Sequence, residues 1–342
     1  MKRLKVFHGL VNYGTQSGFF ARELRNQGIE ALSLTYPDSF KRQTDVELKH
    51  GGNILQKILR HCWNYLFVSY CFFKYNTFHF YFGKTLLPDQ KDLRFYRFFG
   101  KKVIMEYLGS DCQLYQQSLD TYKWTNMIAF SPSDGAKRDE MIRQRMKREQ
   151  TYIDINLVCS PIYSEFVPDS IYVPLAIDLK DFVYSPVPEI TDGIRIMHAP
   201  TSRGYKGTAY IIEALERIKS EGYPIHIDLV EGVTHKELIE RYKQSHIFID
   251  QILAGGYGTA SIEAMALGRP VIAFIRPEFM AQYGEGLPII SANPDTIYEV
   301  LKDVLDHKIS ELNEIGNKSR LFIENGNSIE SITKRLIEIY KR

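Results

Sequence analysis

The chain has 342 residues, 44% of them hydrophobic and 25% charged, with a formal net charge of +2. This is the composition of a soluble globular chain with room for two domains of ordinary size. A charge so close to neutral argues neither for nor against an anionic partner, and no nucleic-acid partner is expected.

No stretch approaches the roughly 20 apolar residues needed to span a bilayer. Cys62, Cys71, Cys112 and Cys159 are scattered without metal spacing or disulfide density, as in a reducing compartment. The basic start, Met1 to His8, lacks the long apolar core of a secretory signal, and residues 4–8 read as a first strand. A cytoplasmic chain is expected.

A polar, glycine-rich loop follows at 9–18, then a helix from about Phe19 to Asn26 and a strand at 29–34. Strand, loop, helix and strand make a Rossmann-type unit, although the glycines do not match the dinucleotide fingerprint. Residues 53–75 are apolar and aromatic, with Lys57, Arg60, His61 and Lys74 interspersed. Two readings stay open there: a helix covering the sheet, or a helix lying against a membrane surface with the chain peripheral at its inner face. Short strands are predicted at 78–82 and 102–107. The second ends at Leu108-Gly109-Ser110-Asp111, a turn at the carboxyl end of a strand, where open α/β sheets place ligands. Asp111 is therefore a candidate polar contact or, equally, an Asx cap. The cations of 136–150 read as a solvated helix face or as an attraction for anionic headgroups.

Pro186 and Pro188 stiffen an extended link and mark the boundary between domains. Beyond it, a strand at 194–198, the loop 199–208 carrying Arg203 and Lys206, a helix at 209–220 and a strand at 225–230 repeat the alternation. Glu231 ends the last of these. A polar helix at 234–245 leads to an apolar run at 247–253, read as a strand. Gly255, Gly256 and Gly258 then break regularity before a helix at 260–267 and a buried strand at 270–275. This order gathers backbone N–H groups and a positive helix end at one point, which suits phosphate, and Glu263 adds an acceptor for sugar hydroxyls. Helices are predicted at 294–306, 308–322 and 329–340.

Gly256-Tyr257-Gly258, then Glu263-Ala264-Met265-Ala266 and Gly268-Arg269-Pro270-Val271, resemble the donor-site signature of family 4 glycosyltransferases. The resemblance implies an α/β protein of GT-B architecture, with two Rossmann-like domains facing across a cleft. The expected division is an acceptor-side domain at 1–185, a nucleotide-sugar domain at 186–325 and a terminal helix at 326–342 crossing back to the first. It implies transfer of a sugar from a nucleoside diphosphate sugar to a hydroxyl of a glycan or lipid-linked acceptor, with retention of configuration, plausible in cell-surface polysaccharide synthesis. Glu263 would hold the ribose, and Gly256, Tyr257, Gly258 and Thr259 the phosphates. Arg203 and Lys206 would offset charge on the departing diphosphate, and Glu231 would lie near the base. Gly14 and Gln16, in the first loop, would approach the transferred sugar or acceptor beside Asp111. No cofactor beyond the donor and no metal ligands are expected. The family pattern has two glutamates separated by seven residues, and here the first falls on Gly255. Two competing readings are a non-catalytic nucleotide-sugar-binding or partner subunit, motivated by Gly255, and a sugar-nucleotide epimerase.

Overall fold

A computed structural model describes residues 3–37 and 43–342; Met1 and Lys2 of the basic start lie outside them. The chain divides into two units. The first takes in Met1–Gln113, Glu140–Ala176 and Ile329–Arg342, and the second Leu114–Asp139 and Ile177–Ser328.

In the first unit, β1 (Lys5–Leu10), β2 (Glu30–Thr35), β3 (Val46–Glu47), β4 (Thr77–Tyr81), β5 (Lys102–Tyr107), β6 (Ile155–Val158) and β7 (Ile171–Tyr172) form one sheet. Its order is β3-β2-β1-β4-β5-β6-β7, and every pairing is parallel. A central parallel strand is covered on both faces, so it carries an apolar run without alternation. Val6, Phe7, Phe78, Phe80, Val103 and Ile104 are accordingly all buried. The helix Gln16–Asn26 turns Phe20, Ala21 and Leu24 into this core. The terminal helix Ile329–Lys341 buries Ile332, Leu336, Ile339 and Tyr340 in the same cluster.

The first core also holds polar groups. The Tyr340 hydroxyl lies 2.7 Å from His79 Nδ1, and the Tyr81 hydroxyl 2.7 Å from His8 Nδ1. His79 Nε2 faces Glu106 at 3.1 Å. Burial pushes the Glu106 carboxyl up to about 8 and the His79 imidazole down to about 3, so both are neutral near pH 7.

In the second unit, β8 (Ile194–His198), β9 (Ile225–Leu229), β10 (Ile247–Ile249), β11 (Val271–Ala273) and β12 (Ile290–Ser291) pair in parallel in the order β12-β11-β10-β8-β9. Helix Thr208–Ser220 buries Ile211, Leu215 and Ile218 at helical spacing, and helix Ile297–His307 buries Leu301, Val304 and Leu305 in the same core. Mixed α/β with two parallel sheets is the predicted fold class.

Several local expectations give way. The run 247–253 is a strand only over Ile247–Ile249, because buried polar side chains at Asp250 and Gln251 turn to other partners. The loop holding Arg203 and Lys206 is itself a helical turn, Arg203–Lys206. Helix Gln16–Asn26 starts three residues before the predicted Phe19, and β1 runs on to Leu10. Helix Ile54–Lys74 is present, but Cys71 is its one buried residue. A helix that covers the sheet along its length would bury far more.

The proline stretch read as a free link is docked. Buried Arg269 donates through Nη2 to the carbonyls of Ser185 and Pro186, the latter at 2.7 Å, and through Nη1 to Ser245 O at 3.1 Å. The Val187 amide donates to Asn313 Oδ1 at 2.9 Å. Burial lowers the guanidinium to about 10, and it remains charged at neutral pH. Arg269→Met keeps the volume but orphans these buried carbonyls, and should destabilise the second unit by about 3 kcal/mol or more. Urea unfolding followed by a probe in that unit measures the loss.

Candidate functional site

The second unit gathers most of the predicted residues around Asp250. This carboxylate lies just past β10, fully buried. It accepts from Lys206 Nζ at 2.5 Å through Oδ1 and from Ser261 Oγ at 2.5 Å through Oδ2. Burial alone would raise its pKa, but the Lys206 ammonium and the two hydrogen bonds hold it below the ordinary range. Lys206 is thus drawn inward by its partner. The Ile252 amide donates to Lys206 O at 3.1 Å, tying the turn Arg203–Lys206 to the chain after β10. His198, at the end of β8, bridges Ile249 O and Thr208 Oγ1, each at 2.8 Å. The Thr208 hydroxyl is therefore engaged with His198, and Gly207 occupies the cap position of the following helix.

Beyond Asp250, residues Tyr257 to Ala260 are partly exposed in an otherwise buried run. Gly256 is held by Gln251, whose Nε2 donates to its carbonyl. Helix Thr259–Ala266 starts at Gly258 with no side-chain cap, which leaves the first-turn amides of Thr259 to Ser261 for another acceptor. The Tyr257 ring lies 4.9 Å from Tyr283. Glu263 is largely but not wholly covered and meets His235 Nε2 at 3.1 Å. That contact raises the His235 pKa, against a smaller opposing effect of burial. Arg203 projects to solvent and forms a two-pronged pair with Glu231, Nε to Oε1 at 3.0 Å and Nη2 to Oε2 at 2.5 Å. The pair lowers the Glu231 pKa. An exposed guanidinium, a shielded ammonium, an uncapped helix start and an accessible carboxylate together suit an anion that carries hydroxyl groups.

Gly255 has a structural reason. Its φ is +79°, and a Cβ there would lie 2.6 Å from Cγ and 2.7 Å from Cζ of Arg276. Arg276 is buried, its Cζ 3.6 Å over the Tyr122 ring, with Nη2 donating to Trp124 O at 3.3 Å. A guanidinium fills the space that a first glutamate would need.

The remaining predicted residues belong to the first unit. Asp111 is buried, and its Oδ1 accepts from the amides of Leu108 and Gly109, both at 2.9 Å, as an Asx turn does. Burial raises its pKa to about 6, against the Arg145 charge and those amides. Arg145 donates to Asp111 O and pairs with Glu149 at 3.2 Å, so one cation of the 136–150 run faces inward. The Gln16 amide is committed to Ala176, donating to its carbonyl at 2.8 Å and accepting from its N–H at 2.7 Å. Gly14 stays partly exposed in the turn Tyr13–Thr15.

Sequence reading missed Asp250, Ser261, His235 and Arg276. Asp250 carried a signal, since a lone carboxylate inside an apolar run needs a buried partner. His235 carried none, because Glu263 is 28 residues away along the chain. Among the described residues, no group of three or more His, Cys, Asp or Glu is placed to hold a metal ion.

Residues 213–329 match the family described as Glycosyl transferases group 1. No curated protein matches the chain. Among solved structures, the chain is similar to sucrose-phosphate synthase from Thermosynechococcus elongatus at 14% identity and a TM-score of 0.64, covering 99% of this chain and 98% of that one. It is similar to a glycosyltransferase from Rickettsia africae at 13% identity and 0.64, covering 100% and 98%. Anabaena HepE, solved in complex with UDP and glucose, is similar at 12% identity and 0.62, covering 98% of each chain. These likenesses establish the fold.

Two outcomes are expected. Gly255→Glu, which writes in the missing glutamate, should destabilise by at least about 1 kcal/mol through its positive φ, with the clash against Arg276 added. Thermal unfolding reads the effect. For His235, a folded pKa above the unfolded one means that the Glu263 pair stabilises fully below about pH 6.5 and fades as pH rises through the folded value. His235→Ala should therefore lower the melting temperature at pH 6 more than at pH 9.

Proposed function

We propose that this chain, a glycosyltransferase with a group 1 domain on a GT-B fold, moves a sugar from a nucleoside diphosphate sugar to a hydroxyl of a glycan or glycolipid. One observation carries the donor assignment. The uncapped start of helix Thr259–Ala266, the carboxylate of Glu263 and the exposed Arg203 occur in one unit, around the Lys206–Asp250 pair. Diphosphate takes the amides and cations, and the ribose hydroxyls take Glu263.

In the reaction, the bond from the anomeric carbon to the diphosphate oxygen breaks and a bond to the acceptor oxygen forms. The acceptor proton leaves to the departing phosphate or to water. Negative charge grows on the diphosphate, and Arg203, exchanging Glu231 for phosphate, stabilises it together with Lys206. Two fixed cations make the proposed transfer independent of a metal ion. Retention of configuration and a role in cell-surface polysaccharide synthesis are proposed from the family resemblance. Because Anabaena HepE is solved with UDP and with UDP-glucose, uridine donors are the first to test.

The test is a thermal-shift series of the full chain against UDP-, GDP- and ADP-sugars, with and without EDTA, repeated on Glu263→Ala. A donor at about 100 times its dissociation constant adds roughly 2.7 kcal/mol, a visible shift. One nucleotide should stabilise the protein regardless of EDTA. Glu263→Ala should weaken that binding about tenfold or more through lost charge-assisted bonds. Undiminished donor affinity in a folded Glu263→Ala protein would overturn the ribose assignment.

A further inference from the structure

Helix Ile54–Lys74, in the first unit, turns its apolar side to solvent. Leu55 is 73% exposed, Leu59 70%, Leu66 72% and Phe73 69%. With Cys62 they follow helical spacing and make one continuous stripe. The stripe runs on to the end of helix Leu93–Phe98. There the Phe72 and Phe73 rings lie 5.5 and 6.0 Å from Phe99, and Phe98 is 82% exposed. Isolated exposed hydrophobes are ordinary, but a contiguous apolar patch of this kind marks an interaction surface.

The charge around the stripe selects the partner. No Asp or Glu occurs between Glu47 and Asp89, while Lys49, Lys57, Arg60 and Lys74 flank or share the helix. Lys49 lies 4.6 Å over the Trp63 ring. Lys74 is paired with Glu30 at 2.9 Å, and Arg60 donates to the carbonyls of His50 and Gly51. Apart from Lys74, none of these cations meets a carboxylate. Trp63, Tyr65 and Tyr70 add rings with a polar tip, the kind that settle at headgroup depth. Packing this helix on a second copy of itself would set Lys57 and Arg60 against like charges. Lipid phosphates would receive them as counter-charges while the acyl region takes the stripe. Among the described residues, no helix is long and apolar enough to cross a membrane.

We propose that helix Ile54–Lys74, together with Phe98 and Phe99, docks this protein flat on an anionic lipid bilayer. The surface lies on a different unit from the donor residues and stands independently of the donor assignment.

The experiment is co-sedimentation of the full chain with two kinds of vesicle, phosphatidylcholine alone and an equal mixture with phosphatidylglycerol, over a range of salt. The protein should bind the anionic vesicles about tenfold or more tightly than the neutral ones, and lose that preference at high salt. Leu59→Glu with Leu66→Glu should abolish binding. Both positions are solvent-exposed, so its thermal unfolding and its response to nucleotide sugars should match the parent chain. Failure to sediment with anionic vesicles at low salt, or equal binding to both kinds, would overturn the proposal. So would a dimer by light scattering that the same double variant dissociates, since the stripe would then belong to a second copy.

Discussion

The second unit depends on one buried carboxylate. Asp250 ends β10 without water, so it must be paired, and Lys206 and Ser261 pair it from opposite sides in sequence. The first draws in the turn after β8, and the second fixes the opening of helix Thr259–Ala266. Two loops from adjacent strands are thereby held to one atom group, and the amides between them are presented in a set geometry. A charge that costs much to bury becomes the part that gives the loops their registry.

The buried arginines extend this logic. Arg276 stacks on Tyr122 and Arg269 gathers the carbonyls of Ser185, Pro186 and Ser245. Both bring segments distant in sequence onto the second sheet, the one from 114–139 and the other from the stretch that follows Ala176. Planar guanidinium groups with several donors suit this task, because one side chain satisfies several backbone acceptors at once.

The strands and helices that bury apolar residues at regular spacing were legible. Val103 to Tyr107, Ile194 to His198 and the helix after Thr208 fall where their patterns put them. The two-residue strands β3 and β12 carry no period to read, and the 247–253 run looked longer than it is because apolar neighbours hide Asp250. At the site, glycines and the exposed acid were visible because their local conformation or charge sets them apart. Partners were not, since His235 meets Glu263 and Arg276 excludes a side chain at Gly255 only once the chain has folded. The first loop shows the reverse error. Gln16 looks like a free polar residue in sequence, yet its amide brackets Ala176, 160 residues away.

The terminal helix carries a consequence for synthesis. Ile332, Leu336, Ile339 and Tyr340 pack with Val6, Phe20 and Leu24, and the Tyr340 hydroxyl meets His79 in the middle of the sheet. A ribosome making this chain releases all seven strands of the first unit long before the residues that complete their core. The second unit, with its own core between residues 187 and 312, has what it needs to close sooner. During translation the half that begins first is therefore the half that finishes last, and its unfinished apolar face must be kept from other chains until Tyr340 emerges.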